Sequence, residues 1–254
     1  MGLFGDGLVT LRRLSAVAGA ALLLLGGTAL AAAQDPYGKP REQMVRTIEA
    51  IASAAGGGAT PKILDAGVLD VLRRVPRHEF VPEELRDRAY ADEPLPIGYG
   101  QTISEPYIVG LMTDLLRLAP GGRALEVGTG SGYQAAVLAE LGAQVHTIEI
   151  VPALAKEAAA RLAALGYGAV RSRQADGYYG WPEAAPFDAI VVTAAVPQVP
   201  PPLLEQLKPG GRMVLPVGAV FLVQELVLIE KLADRTIRTT SLLPVAFVPL
   251  TRTP

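Results

Sequence analysis

The sequence predicts an α/β fold: a doubly wound, mostly parallel sheet with an antiparallel C-terminal end, preceded by an N-terminal helical segment. Three observations carry that prediction. From residue 123 to residue 217, short apolar runs of strand length alternate with stretches of helical periodicity, the pattern of parallel strands joined by crossover helices. The last two strand-like segments, 225–231 and 239–247, have no helix between them, so they add to the sheet by antiparallel pairing. One strand, 124–127, runs directly into a glycine-rich turn and a helix, the junction at which open sheets of this kind bind ligands.

Taken in order, the first 33 residues have the pattern of an export signal. Arg12 and Arg13 give a positive start, 14–25 is a short apolar run, Gly26-Gly27 weakens a helix, and Ala29-Leu30-Ala31-Ala32-Ala33 supplies small residues for cleavage before Gln34. Two alternatives stay open: an uncleaved anchor, since 14–33 is just long enough to span a bilayer, and an unused signal on a cytoplasmic protein. Residues 34–40 (QDPYGKP) read as a linker and 41–254 as one domain, with a helical and loop part over 41–118 and an α/β part over 119–254.

Within 41–118, Met44, Val45, Ile48 and Ile51 fall at helical spacing over 41–54, and Gly56-Gly57-Gly58 ends that helix. A second helix spans 62–75 and stops near Pro76. Frequent prolines and glycines make 76–107 a long functional loop, and helix returns at about 107–118. The α/β part gives helix over 132–141, strand over 145–150, helix from Pro152 to about 165, strands at 170–174 and 189–193, and a short helix at 202–207. Lys208-Pro209-Gly210-Gly211 reads as a turn before a strand at 213–217.

Composition narrows the function. The net charge of −2 carries no footprint for nucleic acid, and no basic helix suggests a membrane-surface binder. The absence of cysteine excludes disulfides, thiolate metal sites and cysteine nucleophiles. No metal site is expected.

The chemistry centres on Leu125-Glu126-Val127-Gly128-Thr129-Gly130-Ser131-Gly132-Tyr133. Its glycines let backbone approach a ligand, and the helix behind them offers free N–H groups. Glu149 ends the next strand, 17 residues after Gly132, where a carboxylate can accept both hydroxyls of a ribose. Asp176-Gly177 follows the third strand, where Asp176 can accept an adenine amino group or serve as a turn aspartate. The spacing is GxGxG rather than GxGxxG. By itself it leaves S-adenosylmethionine and a dinucleotide both open. Asp188 is expected to be structural, His146 a packed strand residue and His78 a surface residue in a turn.

The segments around this motif resemble one family, protein-L-isoaspartate O-methyltransferase, among the Rossmann-like methyltransferases. The resemblance covers roughly 41–251. It rests on Arg73-Arg74-Val75-Pro76-Arg77-His78-Glu79-Phe80-Val81-Pro82, on Pro96-Ile97-Gly98-Tyr99-Gly100-Gln101-Thr102-Ile103-Ser104-Glu105-Pro106, on Leu207-Lys208-Pro209-Gly210-Gly211-Arg212, and on Phe247-Val248-Pro249-Leu250-Thr251. The second of these matches the family's substrate loop and is the most specific. The resemblance implies S-adenosylmethionine as cofactor, held by Glu126, Gly128, Thr129, Gly130, Ser131, Gly132, Glu149, Asp176 and Gly177. It implies Ser104 as the active-site serine, and a substrate wall of Tyr99, Thr102, Ile103 and Ser104, with Val248 and Leu250 opposite. The chain departs from the family in an insertion that includes Gly56-Gly57-Gly58, in Ala175 where glycine is frequent, and in its export signal.

The activity so implied is methylation of the carboxylate of L-isoaspartyl residues in damaged proteins and peptides, with D-aspartyl residues as a further candidate. The ester then closes to a succinimide that hydrolyses partly to normal aspartate. A carboxylate is already nucleophilic at neutral pH, so orientation and exclusion of water should carry the rate. Ser104 can aim the carboxylate; a serine before a helix can also cap it, and both roles could hold together, but the loop as a whole favours the functional one. The expected partners are isoaspartyl-containing chains, met by an exported monomer with no stable membrane association after signal cleavage. Two rivals differ in class: an exported binding module without activity, and a methyltransferase for a different carboxylate.

Overall fold

The computed structural model describes residues 35–219 and 222–252. The expected export signal and its cleavage point lie outside the described residues.

Helix α1 (Gly38–Ala55) buries Met44, Val45, Ile48 and Ala52 along one stripe. It starts inside the expected linker, because Gly38 and Lys39 continue the same helical turn into Pro40 and Arg41. Gly56 ends it where a side chain could not fit, since a Cβ there would lie 2.5 Å from the Ala52 carbonyl. Helix α2 (Ala66–Arg74) begins later than 62 because Asp65 caps it, accepting the Gly67 N–H at 2.8 Å.

The expected loop 76–107 is not a plain loop. It holds two 3-10 turns, Arg77–Phe80 and Glu83–Arg88, then a hairpin of β1 (Leu95–Gly98) and β2 (Gln101–Ile103). Helix α3 (Pro106–Leu116) follows and is buried along almost its whole length.

The remaining elements alternate: β3 (Arg123–Val127), α4 (Tyr133–Glu140), β4 (Gln144–Glu149), α5 (Pro152–Ala164), β5 (Arg171–Gln174), β6 (Phe187–Val192), α6 (Pro201–Gln206), β7 (Leu207–Val217), β8 (Gln224–Lys231) and β9 (Ile237–Val245). The sheet order is β5-β4-β3-β6-β7-β8-β9. The strands from β5 to β7 pair in parallel, and β8 and β9 add antiparallel, as the alternation predicts. The chain leaves β3 for β4 on one side, and β6 lies on the other. The switch point is therefore the C-terminal end of β3, where the glycine turn sits.

The expected turn at 208–211 is absorbed into β7. Leu207 faces Phe187 and Arg212 faces Ala189, so the extra residues bulge inside one continuous strand. Asp188 is structural, accepting the Arg123 N–H at 2.9 Å and the Lys208 ammonium at 2.6 Å. His146 is packed, edge-on to Trp181 and Phe187. His78 departs from the surface position expected of it. It stacks on Tyr37 at 3.8 Å between ring centroids, and its Nδ1 lies 2.8 Å from the Tyr90 hydroxyl.

Candidate active site

A cleft of about 830 Å³, open to solvent, lies at the switch point. Its floor is the glycine turn, one wall is Ile148 to Val151, another is Gln101 to Ser104, and Val248 to Thr251 close the far side. The turn is shaped for a ligand. Gly128 has φ +98°, and a Cβ there would sit 2.5 Å from Thr193 Oγ1. The hairpin roofs the turn: Ile97 reaches within 3.3 Å of where a Cβ on Gly130 would be.

The carboxylates are held in different ways. Glu149 is 7% exposed and accepts the Gly130 N–H at 2.8 Å on one oxygen and the Val151 N–H at 2.9 Å on the other. Each oxygen keeps a second lone-pair direction, enough to take a pair of hydroxyls. Glu126 is fully buried. Its Oε2 accepts the Thr147 hydroxyl at 2.5 Å, and Thr147 lies 2.6 Å from the Thr129 hydroxyl. Its Oε1 has no protein partner among the described residues. Burial pushes this carboxyl up to about 8, with the nearby Glu149 charge adding to the rise. An orphaned acidic oxygen at the edge of a cleft is the partner a cationic or N–H-bearing ligand group requires.

Asp176 caps the short turn Gly177–Tyr179, accepting the Tyr178 N–H at 3.0 Å, and its other oxygen accepts Arg252 Nε at 2.8 Å. Arg252 in turn lies over the Tyr178 ring at 3.7 Å. Gly177, not the Asp176 side chain, lines the cleft. Asp176 thus combines the two roles left open for it only in part: it is a turn aspartate, stationed beside the cleft and engaged by the C-terminal segment.

Ser104 stands at the rim between β2 and α3. It does not cap the helix. Glu105 occupies the cap position, and the Tyr107 N–H is satisfied by Asp92 at 2.7 Å. The Ser104 hydroxyl has no protein partner among the described residues and belongs to the cleft lining. Thr102 and Ile103 line the cleft beside it, as do Val248 and Leu250 opposite. Tyr99 does not. It sits at the hairpin tip with φ +53°, 56% exposed, its hydroxyl donating to Glu157 at 3.0 Å.

Sequence reasoning missed Thr147, Thr193 and Arg77. Thr147 carried a signal, because it precedes Glu149 by two on one strand and so shares its face. Thr193 donates to the Gly128 carbonyl at 2.6 Å and fixes the turn from β6, a link between distant segments with no local signature.

Residues 59–254 match the family model described as protein-L-isoaspartate(D-aspartate) O-methyltransferase. The chain belongs to this family. A protein-L-isoaspartate O-methyltransferase 2 from Syntrophobacter fumaroxidans is 58% identical over 230 residues, covering 91% of this chain and 93% of that one. Another of that name from Polaromonas sp. is 62% identical over 188 residues, covering 74% and 89%. A solved protein-L-isoaspartate O-methyltransferase superposes with a TM-score of 0.71 at 28% identity, covering 82% of this chain and 65% of that chain. The protein is accordingly a protein carboxyl O-methyltransferase whose cofactor is S-adenosylmethionine, and its acceptors are isoaspartyl residues. The binding-module rival is not favoured. The cleft fits the cofactor: it has a glycine cradle that side chains would fill, an orphaned acidic oxygen at Glu126, and a two-oxygen acceptor at Glu149.

Proposed function

We propose that this chain methylates isoaspartyl residues of exported proteins, with Ser104 orienting the acceptor carboxylate. The observation that carries the proposal is the Ser104 hydroxyl, open to the same cleft as the glycine turn and unclaimed by the helix it precedes. When bound, S-adenosylmethionine supplies an electrophilic methyl group. Glu149 would hold the ribose hydroxyls, Glu126 the amino-acid end and Gly128 to Gly132 the chain between them, while Asp176 with Gly177 would flank the adenine.

The protein's part in the reaction is placement. The Ser104 hydroxyl donates to one oxygen of the isoaspartyl carboxylate and leaves the other to attack. Thr102 and Ile103 set the height of the entering chain, and Tyr99 at the hairpin tip extends that wall outward. Val248 and Leu250 exclude water from the other side. No side chain needs to remove a proton, because the acceptor is ionised at neutral pH. Placement of this kind is worth up to about 7–11 kcal/mol when the geometry is ideal. The ester product closes to a succinimide away from the enzyme, which begins repair. D-Aspartyl residues are a second acceptor class.

Two experiments test this reading. Ser104→Ala should lower turnover of an isoaspartyl peptide while the dissociation constant of S-adenosylhomocysteine holds; equal losses in both would overturn the role of Ser104. Export rests on the pattern over 1–33. Cell fractionation with N-terminal sequencing should find a monomer outside the cytoplasm, free of membrane and beginning at Gln34. A full-length chain in the cytoplasm would overturn it.

A further inference from the structure

Arg77 is buried with no exposed surface, and no step of the proposed chemistry uses it. Its Nε donates to the Ala89 carbonyl at 2.7 Å and its Nη2 to the Ser104 carbonyl at 2.7 Å. Its guanidinium lies over the Tyr133 ring, 4.8 Å from the centroid. Tyr133 opens α4 directly after Gly132, and Phe80 braces the same ring edge-on at 5.4 Å. One guanidinium therefore joins three pieces: the turn after Pro76, the strand-to-helix junction that carries Ser104, and the helix that begins at the cofactor turn.

The burial of this charge calls for an explanation. Moving a guanidinium out of water is unfavourable unless its surroundings compensate it. Burial does depress its pKa, opposed first by Tyr133 and then by Asp92, yet an arginine stays charged. Both of these hydrogen bonds go to carbonyl oxygens, and no carboxylate lies within ion-pair distance among the described residues. Asp92 and Glu105 act from further off; burial raises both, and the Arg77 charge counters that rise in each. A residue needed only to fill volume here would be apolar. What a planar fork supplies is direction, with two donors at fixed separation that pin two carbonyls relative to one aromatic face.

We infer that Arg77 is the positioning residue for Ser104: its fork on the Ser104 carbonyl, stacked on Tyr133, sets where the Ser104 hydroxyl stands over the cofactor cleft. The inference rests on the reading that Ser104 orients the acceptor. Lysine would keep the charge and lose the fork, so Arg77→Lys should not restore the placement.

The test is a double-mutant cycle in the complete enzyme with Arg77→Lys, Ser104→Ala and the pair, after circular dichroism shows each folded. Turnover and KM for an isoaspartyl peptide are measured beside the dissociation constant of S-adenosylhomocysteine. Arg77→Lys should lower kcat tenfold or more with the S-adenosylhomocysteine constant within twofold. The double variant should be no slower than Ser104→Ala alone, because Arg77 acts through Ser104. Losses that multiply would overturn the inference and leave the Ser104 reading standing, as would an undiminished kcat in Arg77→Lys. An undiminished kcat in Ser104→Ala would overturn the Ser104 reading and the inference with it. Should Arg77→Lys not fold, Tyr133→Leu, which removes the ring under the guanidinium and leaves the charge, takes its place in the same cycle of kcat values, with the same outcomes deciding.

Discussion

Replacing Gly177 by alanine probes the closest backbone approach in the cleft. An added Cβ would fall far inside contact distance of Val127 Cγ1 and 3.6 Å from Val127 Cβ. Carbon atoms rest about 3.5–4.0 Å apart, so the methyl pair would overlap by more than an ångström. Val127 cannot yield: it is fully buried on β3, between β4 and β6. Overpacking of this kind costs about 1–3 kcal/mol. Val127→Ala on its own removes two buried carbons at about 0.8 kcal/mol each, and the cavity adds to that, for a loss of about 2 kcal/mol. In the double variant the new methyl occupies the space the old ones vacated. Urea denaturation of the four proteins should then give a coupling of about 1–3 kcal/mol, with the double variant more stable than the sum of its parts. Losses that add to within about 0.5 kcal/mol would refute the close approach. Because Gly177 lines the cleft, Gly177→Ala should also weaken binding of S-adenosylhomocysteine.

The buried carboxyls supply further expectations. Glu126 is pushed up to about 8 from 4.5, so the folded chain holds a proton that the unfolded chain releases. Its stabilising contribution is complete below about pH 4.5 and is lost as pH rises through 8, at about 1.4 kcal/mol per pH unit in that window. Glu126→Gln in cofactor-free protein should flatten that slope between pH 5 and 8; parallel denaturation curves for the two proteins would contradict it. Asp176→Asn should weaken S-adenosylhomocysteine roughly tenfold or more, as a charge-assisted hydrogen bond is worth about 1.5–3 kcal/mol, and calorimetry showing an unchanged constant would remove Asp176 from the adenine site. Tyr99→Ala should raise the KM for an isoaspartyl peptide and spare the cofactor constant, since Tyr99 stands outside the cleft lining. A weakened cofactor with an unchanged peptide KM would reverse that assignment.

The alternation of apolar runs and helical stripes was enough to read the seven-stranded sheet and its antiparallel end, because both periods are local properties of the chain. The glycine turn was legible for the same reason. Its strand, its turn and its helix are consecutive, and Glu149 lies one strand away. The hairpin over 95–103 was not legible, because its strands are only four and three residues long and a bulge between Pro96 and Gly98 interrupts their pairing, leaving no alternation to read. The Lys208 to Gly211 segment looked like a turn, and it is locally irregular, with Gly210 at φ +83°; what sequence could not show is that Leu207 and Arg212 on either side both pair with β6, so the segment becomes a bulge inside one strand. The bonds that tune the site cross long stretches of sequence. Arg77 reaches Ser104, Thr193 reaches Gly128, and Arg252 reaches Asp176, and no periodicity encodes such pairs. The Arg252 contact also changed the reading of Asp176, whose neighbourhood depends on residues 76 positions away.

The most direct test of the central claim is methyl transfer from labelled S-adenosylmethionine to a peptide with one isoaspartate, beside its normal-aspartate twin, using protein that begins at Gln34. The account predicts label on the isoaspartyl peptide and none on the twin. Equal labelling of both, or binding of S-adenosylhomocysteine with no labelling of either, would contradict it.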